Sequence, residues 1–196
     1  MKKLLLATHN QGKVLEFKAL MKDHNVEVLS LFDINYELEI EETGVTFEEN
    51  ALIKARTIAK QYSMMTIADD SGLVIDALDG RPGVYSAIYA GEPRDDEANI
   101  DKVLAEMKDV PESERSARFI CVLAMVDEAG NEHVVCGQCE GVILTERRGT
   151  NGFGYDPIFY NPSVRKTMAE MSKAEKNAVS HRRKAIDALK EKMKKL

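Results

Sequence analysis

Apolar and polar positions alternate along this chain in blocks that read as interleaved strands and helices. Residues 3–7 form a short apolar run, as a buried strand would. It breaks into the polar turn 8–13. From Val14 to Lys22 the apolar residues Val14, Phe17, Leu20 and Met21 recur at helical spacing. A second strand is predicted at 26–31. Thr46 and Glu49 have the spacing of a capping box, opening a helix to about residue 62 with Leu52, Ala55, Ile58 and Ala59 inward. Residues 64–68 read as a strand ending at Asp69-Asp70-Ser71-Gly72, with residues 73–75 extended beyond it. The Gly and Pro content of 79–83 marks a turn. Residues 96–107 are amphipathic through Ile100, Val103, Leu104 and Met107. The nearly unbroken apolar run 117–126 suits a central strand. A hairpin turn at 128–131 leads to its partner from Val134, and a further short strand is expected at 141–144. Residues 149–156 form a glycine-rich loop, and 172–193 are helical in composition. This alternation, with one evident hairpin, predicts an α/β fold: a mixed β-sheet with flanking helices.

Composition narrows the function. At 196 residues and 44% hydrophobic, the chain can bury a sizeable core in one domain spanning 1–196 without a separable linker. Lys and Arg total 27 against 33 Asp and Glu, a net charge of −6. That balance argues against a nucleic-acid partner but leaves room for a small anionic ligand held by a few local cations. No apolar stretch approaches the length of a membrane helix, and the opening apolar run stops too soon for a secretory signal. No membrane association and a cytoplasmic location are expected. Cys136 and Cys139 are spaced C-x-x-C within a strand-like run, where residues three apart face opposite ways, so they read as ordinary strand cysteines.

Four polar clusters carry candidate chemistry. Thr8, His9, Asn10, Gln11, Gly12 and Lys13 join a strand to a helix, an arrangement that can offer backbone N–H groups and a lysine charge to phosphate. It lacks the Walker A pattern. The acidic residues Glu41-Glu42 and Asp69-Asp70 gather negative charge that a hard cation such as Mg²⁺ would neutralise. The loop 149–156 places Phe153, Gly154, Tyr155 and Asp156 where an aromatic ring can stack on a planar base. Lys176, His181 and Arg182 suit phosphate and carbonyl recognition, but steps of five and six residues do not share one helix face. If all three meet one ligand, the helix must break near Val179 or Ser180, with Ser180 as the new N-cap.

Taken together, these segments resemble the inosine triphosphate pyrophosphatase family, which acts on non-canonical purine nucleoside triphosphates. The matching stretches are 7–13 (ATHNQGK), 41–47 (EETGVTF) with 49–51 (ENA), 68–73 (ADDSGL), 83–87 (GVYSA), 152–157 (GFGYDP) and 176–182 (KNAVSHR), in family order. The resemblance implies an elongated two-lobed fold with the active site in the cleft between the lobes, and a homodimer. It implies Mg²⁺ as cofactor, with Glu41 and Asp70 as metal ligands and Asp70 also the catalytic proton acceptor. Substrate contacts would come from Thr8 to Lys13, Ser71 and Lys176, and base recognition from Phe153 to Asp156 with His181 and Arg182. Ile88 departs from the pattern, since many relatives carry a basic residue there. The implied reaction is hydrolysis of ITP, dITP or XTP to the monophosphate and pyrophosphate. A metal-dependent phosphomonoesterase and a non-catalytic purine nucleotide sensor are the alternatives.

Overall fold

The computed structural model describes residues 2–22 and 26–194, the side chains of Lys2, Glu16 and Leu20 excepted. The expected place of Leu20 on the apolar side of the first helix therefore lies outside the described residues. Seven strands form one mixed sheet in the order β2-β1-β3-β4-β5-β6-β7. They are β1 (Lys2–Leu6), β2 (Val26–Ser30), β3 (Thr66–Ile75), β4 (Ser116–Val126), β5 (Glu132–Ile143), β6 (Phe159–Asn161) and β7 (Lys166–Thr167). The five α-helices among the described residues are α1 (Gln11–Met21), α2 (Phe47–Tyr62), α3 (Asp96–Glu106), α4 (Lys173–Val179) and α5 (His181–Met193). β1 runs parallel to both β2 and β3, whereas β6 is antiparallel to β5 and β7.

The chain divides into two compact units. Unit one comprises residues 1–70, 121–137 and 185–196; unit two comprises 71–120 and 138–184. In unit one, Leu4, Leu5 and Leu6 are all buried, as expected of a strand covered on both faces. Val14, Phe17 and Met21 of α1 pack with Leu4 and Leu6, and with Ala185, Ile186 and Leu189 of α5. The core of unit two gathers Leu73, Ile75, Ile100, Val103, Phe119 and Phe159 among others. Among the described residues no helix is long and apolar enough to cross a membrane.

Three expectations change in detail. Helix α1 begins at Gln11, not Val14, because Asn10 caps it by accepting the Lys13 amide at 3.0 Å. Gln11, Gly12 and Lys13 thus form its first turn. The tetrad Asp69-Asp70-Ser71-Gly72 does not end a strand: β3 runs through it unbroken to Ile75. Residues 141–143 are no separate strand but the end of β5, which alternates exposed and buried positions along its second half. That alternation places Cys136 at the surface and Cys139 in the interior, both as free thiols.

Arg115, buried at the start of β4, closes unit two mainly through carbonyls, with Glu112 acting on it through charge and no ion pair within 4.0 Å among the described residues. Its guanidinium donates to the carbonyls of Ile143 (2.7 Å), Met107 (2.7 Å), Val110 (3.1 Å) and Leu144 (3.0 Å). Removing the fork would strand several buried acceptors at once. Arg115→Ala should therefore lower unfolding free energy by about 3 kcal/mol or more in urea titrations, with Arg115→Lys recovering only part. A loss under about 1 kcal/mol would show that water satisfies those carbonyls instead.

Candidate active site

The chemistry in unit one starts from a cost: two adjacent carboxylates lie inside an apolar strand. Asp69 is buried and ion-paired with Lys13, Nζ to Oδ2 2.6 Å. The first turn of α1 presents that lysine, so the cap at Asn10 also sets where its charge falls. Asp70 is half-buried, and its carboxyl is pushed up to about 6. Burial is the main cause; the Lys54 charge opposes it, Glu42 adds to it, a hydrogen bond from Asn50 opposes it and Asp69 adds to it. Lys54 in turn pairs with Glu42 at 3.0 Å. Asn50 is itself buried and does two jobs, bonding Asp70 and accepting the Gly44 amide at 2.8 Å. Gly44 is obligatory for that approach, because a Cβ there would lie 2.6 Å from both Asn50 Oδ1 and Glu49 Cβ. One amide thus ties the acidic loop to β3. The capping box of Thr46 and Glu49 holds the same end of the loop, where it enters α2. His9 reaches the loop's other end from the turn before α1, its Nε2 2.7 Å from the Tyr36 carbonyl.

Unit two carries the aromatic and basic residues. Helices α4 and α5 are separated at Ser180, whose backbone is extended (ψ 144) and whose hydroxyl accepts the Arg183 amide at 3.0 Å. The predicted break and cap are both present. The break leaves Lys176 on α4 and starts α5 at His181 and Arg182. Lys176 pairs with the buried Asp156. Burial pushes the Asp156 carboxyl up, while Lys176, the Phe153 amide and Arg182 hold it back. The same carboxylate accepts the Phe153 amide at 3.0 Å, and the Lys176 ammonium lies 4.7 Å from the centre of the Phe153 ring. His181 stacks on Phe119, with ring centres 5.1 Å apart.

A sequence model of the Ham1 family matches residues 4–192. The chain belongs to the Ham1 family. It is 54% identical over 195 residues to a Bacillus cereus protein named dITP/XTP pyrophosphatase, covering 98% of this chain and 95% of that one. A Bacillus subtilis protein of the same name is 54% identical over 189 residues, 96% of each chain. Among solved structures, a Staphylococcus aureus Ham1 protein is similar with TM-score 0.91 and 44% identity, covering 98% of both chains. A Coxiella burnetii Ham1 protein is similar with TM-score 0.93 and 43% identity over the whole of both.

Within this Ham1 protein, several residues differ from their expected places. Tyr155 is not a surface platform: its ring is 5% exposed in the unit-two core and its hydroxyl donates to the Ser86 carbonyl at 2.7 Å. Of the two aromatic residues in this loop, Phe153, 54% exposed, is the available face. Glu41 is exposed, and the neighbouring carboxylate whose charge reaches Asp70 is Glu42. Ser71 is half-buried just after the two aspartates, and Ile88 is exposed at 37%. Asn50 and Lys54 were missed as site residues. The signal was there: Asn50 and Lys54 adjoin the inward alanines Ala51 and Ala55 on a capped helix, and polar residues at such positions need partners.

Gly152 tests whether the Asp156–Lys176 pair holds the aromatic loop. It adopts φ +80°, and a Cβ would collide with Asp156 Oδ2 and come within 3.2 Å of Lys176 Nζ. Gly152→Ala should destabilise the protein by about 2 kcal/mol in thermal or urea unfolding. Unchanged stability would mean that the loop yields at no cost.

Proposed function

We propose that this Ham1-family chain hydrolyses ITP, dITP and XTP to the nucleoside monophosphate and pyrophosphate, removing non-canonical purines from the nucleotide pool. The observation that carries the reading is the ladder of paired charges around Asp70: Lys13 with Asp69 on one side and Lys54 with Glu42 on the other. Two lysines held beside carboxylates can exchange those partners for phosphate oxygens when a triphosphate arrives. The names of the relatives at 54% identity supply the substrate class.

In the reaction, a water oxygen attacks the α-phosphorus and the bond from that phosphorus to the bridging oxygen breaks. Pyrophosphate leaves with the bonding electron pair. Asp70 orients the water and accepts its proton; Asp69, neutralised by Lys13, is the lesser candidate. Lys13 and Lys54 offset charge on the departing pyrophosphate. The donor set also fits magnesium. Asp70 with Glu42 or Glu41 offers hard carboxylate oxygens, and among the described residues no three Asp, Glu, His or Cys gather as a ready-made cage. The remaining positions would fall to waters and phosphate oxygens, the usual manner of holding this ion. Bound there, magnesium supplies charge neutralisation for the triphosphate.

Phe153 stacks on the base. Donors from His181 and Arg182 meet the purine 6-oxygen and oppose the 6-amino group of adenine. A site of this kind can discriminate by about 10⁴. Family membership further supports a homodimer, and the substrate supports a cytoplasmic location.

The test is product identity across a nucleotide panel, with and without chelator. ITP and XTP should yield pyrophosphate, ATP should be a poor substrate, and chelation should abolish turnover until magnesium is restored. Asp70→Asn should lose about 10²–10⁴ in kcat while nucleotide still binds. Release of orthophosphate would favour the phosphomonoesterase alternative, and absence of any product would favour a nucleotide sensor.

A further inference from the structure

The loop that carries Phe153 has little rigidity of its own. Gly152 and Gly154 flank the ring at φ +80° and +58°, a backbone region that local sterics do not fix for glycine. Asn151 anchors the loop's start to the Met171 and Ala169 carbonyls, and three further bonds fix residues 153–155. Asp156 takes the Phe153 amide, the buried Tyr155 hydroxyl holds the Ser86 carbonyl, and the Gly154 amide donates to Asp96 Oδ2 at 2.9 Å. The third tether comes from a residue 58 positions away in sequence, at the start of α3. That helix is already capped by Asp95, which accepts the Ala98 amide at 3.0 Å. The Asp96 carboxylate is therefore not required as the helix cap. It is instead gripped by Arg94, Nε to Oδ1 2.8 Å and Nη2 to Oδ2 3.3 Å.

We propose that Asp96, oriented by Arg94, is a positioning residue for base selectivity: by fixing the Gly154 amide it sets where the Phe153 ring stands. An isolated surface ion pair between Arg94 and Asp96 would contribute little. A charged acceptor bonded to a loop amide is stronger, and it acts at the point where the loop would otherwise swing. Consistent with that, Arg94 first and the Gly154 amide second hold the Asp96 carboxyl below its usual range against partial burial. The Asp96 carboxylate is engaged by Arg94 and the Gly154 amide, not by the groups assigned above to the phosphates, so its removal should disturb recognition more than the bond-breaking step.

This inference rests on the reading of Phe153 as the base platform, and the experiment separates the two. Steady-state kinetics with ITP, XTP and ATP are compared for the wild type, Asp96→Ala, Asp96→Asn, Arg94→Ala and Phe153→Ala. Asp96→Ala should raise KM for ITP and XTP about tenfold, leave kcat within about twofold, and lower the ITP-over-ATP preference about tenfold. Asp96→Asn keeps an acceptor for the Gly154 amide and should recover most of that loss. Arg94→Ala should shift KM in the same direction by a smaller factor. Phe153→Ala should raise KM by about tenfold or more. If Phe153→Ala raises KM but Asp96→Ala leaves KM and preference unchanged, the positioning role is overturned and the platform stands. If Asp96→Ala lowers only melting temperature or kcat, with preference intact, its role is structural and the inference also falls. If Phe153→Ala itself leaves KM unchanged, the platform and the inference fall together.

Discussion

Two carboxylates inside an apolar strand set the terms for unit one. A buried aspartate without compensation would protonate or pull the strand toward water. Here the cost is met only in part: α1 brings Lys13 to Asp69, and α2 brings Asn50 and Lys54 toward Asp70, whose carboxyl burial still pushes up to about 6. Both helices are placed by caps written in the sequence, Asn10 for α1 and Thr46 with Glu49 for α2. The sheet, the two caps and the acidic loop are thus one electrostatic arrangement. Carboxylates packed this closely are tolerable only with cations in attendance, and a reaction that delivers a highly charged anion can draw on those same cations.

Unit two solves a different problem: it shows the Phe153 ring to solvent while burying Tyr155 and Asp156 just after it. Tyr155 goes into the core and Phe153 stays out, although the two are separated by a single glycine. Positive φ at Gly152 and Gly154 lets the backbone turn enough for neighbouring side chains to take opposite fates. Asp156, buried beneath, converts that turn into a fixed geometry through Lys176 and the Phe153 amide.

Much of this was legible from residue order. The alternation of apolar runs gave the mixed sheet and its helices. The spacing of Lys176, His181 and Arg182 required a helix break, and Ser180 supplies it. What stayed hidden has a common cause. Periodicity reports how a segment meets the interior, not which distant side chain answers it. The tetrad from Asp69 to Gly72 looked like a strand end because its polarity is satisfied by residues 56 and 20 positions earlier, Lys13 and Asn50. Tyr155 looked like a platform because only packing distinguishes it from Phe153. Glu41 and Glu42 are adjacent and chemically identical, so which of them pairs with Lys54 could not be read from residue order.

The route of the backbone between the units has a consequence for truncated forms. The buried core residues of unit two all precede residue 184, whereas unit one begins with β1 yet still needs Ala185, Ile186 and Leu189 for its core. A chain cut after residue 184 would keep the core of the aromatic half and leave apolar surface open in the half bearing the paired aspartates, so proteolytic trimming at this end falls first on unit one.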